Sequence, residues 1–222
     1  MCFSPEADVV AAVVISVVAV DALRHNHSGR TLPLALLPAV FAVHTLASAF
    51  VWWGLDGRVP AGLGAAATSF YLGIAFVLLP VLVPVAVLMI EPPGWRRPAL
   101  VALGLAGAYA SAVFALGLAD GRGSATACSY YINFGITGAS SAAGVMYVAA
   151  TCGALLLSGQ RPLVIWGILN AVVVAALALA VANGLPSLWC FWAAITSVFV
   201  AWFLRSLERE RASGAAWPWV PQ

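Results

Sequence analysis

Apolar runs of about 20 residues recur along this chain, and they restrict its folds more than any motif does. Seven can be marked, at about 5–23, 32–54, 63–90, 98–118, 139–158, 162–183 and 186–206, each long enough to cross roughly 30 Å of hydrocarbon. Only 8% of the residues are charged, against about 25% in an ordinary soluble domain. The expectation is an all-α integral membrane protein, a seven-transmembrane-helix bundle forming one domain over 1–222. Its last stretch, 207–222, is then an interfacial cytoplasmic tail whose Trp217 and Trp219 sit at headgroup level. The first segment does not read as a cleavable signal, because Glu6 and Asp8 stand where a basic region would be needed.

Arginine supplies the orientation. With seven spans, Arg24, Arg30, Arg96, Arg97, Arg161, Arg205, Arg209 and Arg211 fall on one side, and Arg58 and Arg122 on the other. The excess of arginine marks the cytoplasmic side, which places the N-terminus outside and the C-terminus in the cytoplasm. The chain has no lysine, so neither a retinal nor a pyridoxal phosphate Schiff base can form. The net charge of +2 carries no indication of nucleic-acid binding. His25-Asn-His27 in the first cytoplasmic loop reads as part of a basic turn at anionic lipid headgroups, with metal binding as the alternative.

In this orientation Cys2, Cys128 and Cys190 all fall near the outer surface, whereas Cys152 is in mid-span. An oxidising compartment favours a disulfide, Cys2–Cys190 or Cys128–Cys190. A thiolate metal site and a reactive thiol are the other readings of the cluster.

Candidate chemistry gathers in the same half. Ser4, Pro5, Glu6 and Asp8 have the pattern of a capped helix start, with acidic residues at the positive end of the dipole. Glu6 and Asp8 are about 200° apart on a helix, so at most one faces the bundle interior, where it becomes a candidate acid. His44, Ser48 and Trp52 are spaced four apart and line one stripe of the second helix, with Thr45 beside them. An ionisable side chain within a span is a functional candidate by default. A neutral histidine bonded to a neighbouring helix is the plainer reading. Asn170 in the sixth helix is either interhelical glue or a ligand contact. Trp52, Tyr130, Tyr131, Trp189 and Trp192 fall at one level, as an aromatic belt or as the wall of an aromatic-lined pocket. Pro80 and Pro84 should kink the long third helix, and the carbonyls they release need other partners. The stretch from Asp120 to Gly138 is too polar to span and too aromatic for a bare linker.

MCFS at the start, FVWWGL closing the second helix and SLWCFWAAITS opening the last one resemble a bacterial family of multi-pass membrane proteins of unknown function. That family begins MCFS and carries S-[LV]-W-C-F at its last helix. The resemblance implies that Cys2 and Cys190 are family features, and it implies an architecture without an activity. The chain departs from the pattern in the second helix, where the family has Gln-Gln and an acidic residue about where His44, Thr45 and Ser48 stand.

The functional expectation is a membrane-bound cyclase or isomerase acting on an apolar, isoprenoid- or lipid-like substrate. Glu6, Asp8 and His44 are its candidate acids and bases, and Ser48, Trp52, Tyr130, Tyr131, Asn170, Trp189 and Trp192 line its pocket. Aromatic faces stabilise cations, and one positioned acid can start a cyclisation. Small seven-helix terpene cyclases offer an analogy of architecture only, since their motifs are missing here. The alternatives are a sensor or partner subunit of a membrane complex, and a small-molecule transporter. Expected contacts are membrane lipid, an apolar small molecule and a second copy or partner protein. The expected location is the bacterial plasma membrane. The small-residue runs at Gly104–Gly107 and Ser140–Gly144 permit close helix contact within or between chains.

Overall fold

The computed structural model describes residues 4–213, which form seven helices and one two-stranded hairpin. The helices are α1 (Pro5–Arg24), α2 (Leu32–Leu55), α3 (Ala61–Ile90), α4 (Arg96–Ala119), α5 (Ser141–Leu157), α6 (Arg161–Ala180) and α7 (Leu185–Ala212). The strands β1 (Gly123–Ala127) and β2 (Ile132–Ile136) lie between α4 and α5. Five helices, α2, α3, α4, α6 and α7, are long and apolar enough to cross a membrane. Of the other two, α1 carries Glu6, Asp8, Asp21 and Arg24, and α5 has 17 residues.

Local chemistry explains where these helices begin and bend. The Ser4 hydroxyl accepts the Ala7 N–H at 3.2 Å and Pro5 takes the first helical position, so α1 starts on a side-chain cap. Ser140 caps α5 in the same way through the Ala143 N–H. The irregularity in α3 falls one turn before its prolines, as a π-helical segment at Gly73–Leu78. The Val77 carbonyl there accepts the Ser111 hydroxyl of α4 at 2.6 Å. Pro84 has no N–H for the Pro80 carbonyl. Gly107 of α4 packs so closely on that carbonyl that a Cβ would overlap it. α7 breaks at Ser197 between its helical parts Leu185–Thr196 and Val198–Ala212. The second part runs on through residues 207–212, at the start of the expected interfacial tail. Residues 214–222, with Trp217 and Trp219, lie outside the described residues.

The two ends of the bundle differ. At the arginine-rich end Arg205 of α7 pairs with Asp21 of α1, its Nε donating at 2.8 Å. His25 and His27 both face Glu208 there, at 3.5 and 3.1 Å. Glu91, buried at the foot of α3, accepts the Gly159 N–H at 2.8 Å and pairs with Arg96 at 3.5 Å. The hairpin covers the opposite end. Its register sets Gly123 against Ile136 and Ala127 against Ile132, and Cys128–Tyr131 make the turn. Ile132 and Phe134 alternate inward, as a strand with one buried face requires. They pack with Val51 and Trp52 of α2, Tyr71 and Leu72 of α3, and Cys190 of α7.

Candidate functional site

Beneath the hairpin the second-helix stripe is buried: His44 is 1% exposed, Ser48 2% and Trp52 7%. α1 packs along α2 and separates the two acidic side chains of its first turn. Asp8 is buried and its carboxyl faces Ser48. Glu6 points outward to accept from Arg58 at 3.1 Å, joining the start of α1 to the α2–α3 loop. The structure therefore takes Glu6 away from the interior and leaves Asp8 there.

Asp8, His44, Ser48, Tyr71, Ser187 and Cys190 surround a cavity of about 10 Å³, completed by Thr45 and Phe191. That is room for about one water molecule. The His44 ring stacks on Tyr71 with centroids 3.8 Å apart and planes at 25°, and Tyr71 stacks on Phe134 at 3.8 Å and 13°. α2, α3 and β2 each contribute one ring to this three-layer column. Neither nitrogen of His44 has a hydrogen-bond partner among the described residues. A neutral imidazole needs one acceptor and one donor. Buried polar atoms are nearly always satisfied, so leaving these open costs about 1–3 kcal/mol each unless something else occupies the site.

The remaining candidates divide into three groups. Asn170 is engaged, its Nδ2 donating to the Trp166 carbonyl at 2.8 Å and its Oδ1 accepting the Trp189 indole N–H at 3.2 Å. Trp166 in turn donates to Thr196 at 2.7 Å, so α6 and α7 are joined by a short polar ladder. Trp189 also meets Tyr147 edge to face at 5.2 Å. Trp52 and Trp192 have buried indole nitrogens without a partner among the described residues. Tyr130 is 69% exposed in the hairpin turn and does not line the cavity. Tyr131 packs against Gly184, and removal from water, then the neighbouring Cys128, raise its phenol above the ordinary value of 10.0.

No disulfide joins Cys128 and Cys190: Cys128 sits half-buried in the hairpin turn, whereas Cys190 belongs to the packed core. This corrects one of the two expected pairings. The other involves Cys2, which lies outside the described residues. Among the described residues no group of three or more His, Cys, Asp or Glu side chains is placed to hold a metal ion.

Sequence reasoning missed Tyr71, the middle ring of the column. The available signal was an isolated Phe70-Tyr71 pair among the small residues of GLGAAATSFYLG.

The fold and site define a class: a helical protein with apolar helices long enough to cross a membrane, and a buried polar cluster sealed at one end by a hairpin. Within that class the chain belongs to the family described as a family of unknown function, DUF6629, whose model matches residues 1–216. No curated protein and no solved structure matches it.

Proposed function

We propose that this chain is a seven-span protein of the bacterial plasma membrane, N-terminus outside, with an acid–base centre at Asp8 and His44 in its outer half. Several observations support the architecture. Residues of α1 such as Val10, Val13 and Val17 are exposed, as a lipid-facing surface requires. The charges of α1 other than buried Asp8 lie at its two ends, and the 17 residues of α5 reach the lower limit for a span.

The activity that follows is a cyclase or isomerase reaction on an apolar, isoprenoid- or lipid-like substrate. Protonated Asp8 gives its proton to a substrate double bond, the aromatic faces beside the cavity stabilise the cation, and neutral His44 removes a proton from the adjacent carbon. Transfer from His44 back to Asp8, past Ser48, completes the cycle. The observation that carries this reading is the pair of His44 nitrogens, unpartnered among the described residues, in a cavity shared with a buried carboxyl group. The cavity is far smaller than the roughly 300 Å³ of an ordinary ligand pocket, so the reading includes a step in which the hairpin lifts.

The same closure favours a second reading, a sensor or partner subunit whose buried polar centre stays sealed. Purified protein in nanodiscs, incubated with C10–C20 isoprenoids and bacterial lipids and assayed for isomerised or cyclised products by mass spectrometry, separates the two. Turnover lost in Asp8→Asn and in His44→Phe supports the enzyme. Absence of any product, with a second membrane protein co-purifying, supports the subunit.

A further inference from the structure

A second cavity, of about 40 Å³, lies between α2, α3, α5, α6 and α7, bounded by Phe41, Leu79, Cys152, Trp166, Trp189 and Ala193. We propose that it is a binding site for a small apolar molecule in the size class of dioxygen or a light hydrocarbon. The volume would admit about three water molecules, yet the cavity surface is entirely apolar.

Four of the polar side chains around it are turned to other partners. Asn170 spends its amide on Trp166 and Trp189, the Trp166 indole donates to Thr196, and the Thr151 hydroxyl donates to the Tyr147 carbonyl at 2.9 Å. A water molecule placed there would forgo the two to four hydrogen bonds that hold buried waters, whereas an apolar guest loses nothing. Dispersion contacts with two indole rings and aliphatic neighbours supply the attraction, and they are available only to a guest that fills the space. Charged and strongly polar ligands are excluded by desolvation.

The site is distinct in character from the cavity beneath the hairpin, though Cys190 lines both. A guest would therefore sit one side chain away from the His44 cavity. The inference does not depend on the acid–base reading, because it uses none of the His44, Asp8 or Ser48 chemistry.

Crystals of the full chain pressurised with xenon test it by anomalous scattering. The expected result is a xenon peak between Phe41, Trp166 and Trp189 that disappears in Ala193→Val and in Cys152→Leu, each of which fills the space. A wild-type cavity without xenon, an ordered hydrogen-bonded water at that position, or a peak unaffected by both substitutions would overturn the proposal.

Discussion

The imidazole of His44 lies face to face with the phenol ring of Tyr71, 3.8 Å between centroids, while both of its nitrogens remain without a partner among the described residues. Its surface is satisfied by packing and its polarity is not. Those two properties can be separated by substitution.

His44→Phe retains the ring column and removes the two unsatisfied atoms. The folded state should be as stable as wild type or up to about 3 kcal/mol more stable. Tyr71→Ala leaves a hole between two rings and should lose about 3–5 kcal/mol, as for other buried aromatic truncations. Reversible unfolding in mixed detergent measures both. A His44→Phe protein much weaker than wild type would mean that the imidazole has a partner after all.

The ladder between α6 and α7 makes a sharper claim about Asn170. Asn170→Ala leaves the Trp189 N–H buried without its acceptor, and should destabilise by about 1–3 kcal/mol. Combining it with Trp189→Phe should recover part of that loss, with a coupling energy of at least about 0.5 kcal/mol in a double-mutant cycle. Strict additivity would assign the two side chains independent roles.

Two glycines three residues apart should respond in opposite ways. Nothing lies within 4 Å of a Cβ built at Gly104, so Gly104→Ala should fall within about 0.5 kcal/mol of wild type. At Gly107 the new methyl would meet the Pro80 carbonyl and force α3 and α4 apart, a loss of about 1–3 kcal/mol. Equal effects at both positions would contradict the close approach of those helices.

Phe134 fastens β2 to the helices through its stack on Tyr71. Phe134→Ala should accelerate amide exchange across 123–136 by at least about tenfold while the helix cores stay protected. Uniform loss of protection would instead mean that the hairpin and helices unfold together.

These sites differ in how visible they were before the fold was known. The helices were legible because apolar length and the Ser4-Pro5 start are local signals, and the His44–Ser48–Trp52 stripe follows from helical spacing alone. The hairpin was not legible. GSATA carries little β-propensity and β2 has only five residues, so its strand character emerges from packing Ile132 and Phe134 against the helices. The prolines of α3 are visible in the sequence, whereas its π-helical segment was not legible, because the Ser111 hydroxyl and Gly107 that meet the α3 carbonyls come from another helix. Tyr71 and the burial of Glu91 were missed for the same reason: each depends on a partner distant in sequence.

The hairpin's position above the ring column has a kinetic consequence. His44 is 1% exposed, with one face of its ring covered by Tyr71 and, behind that, Phe134, so a proton arriving from the hairpin side cannot reach it by free diffusion. Its exchange with the exterior on that side is then limited by how often β2 comes away from Tyr71. The titration of this histidine by that route should lag behind a rapid pH jump, with a relaxation time no shorter than the opening time of the hairpin.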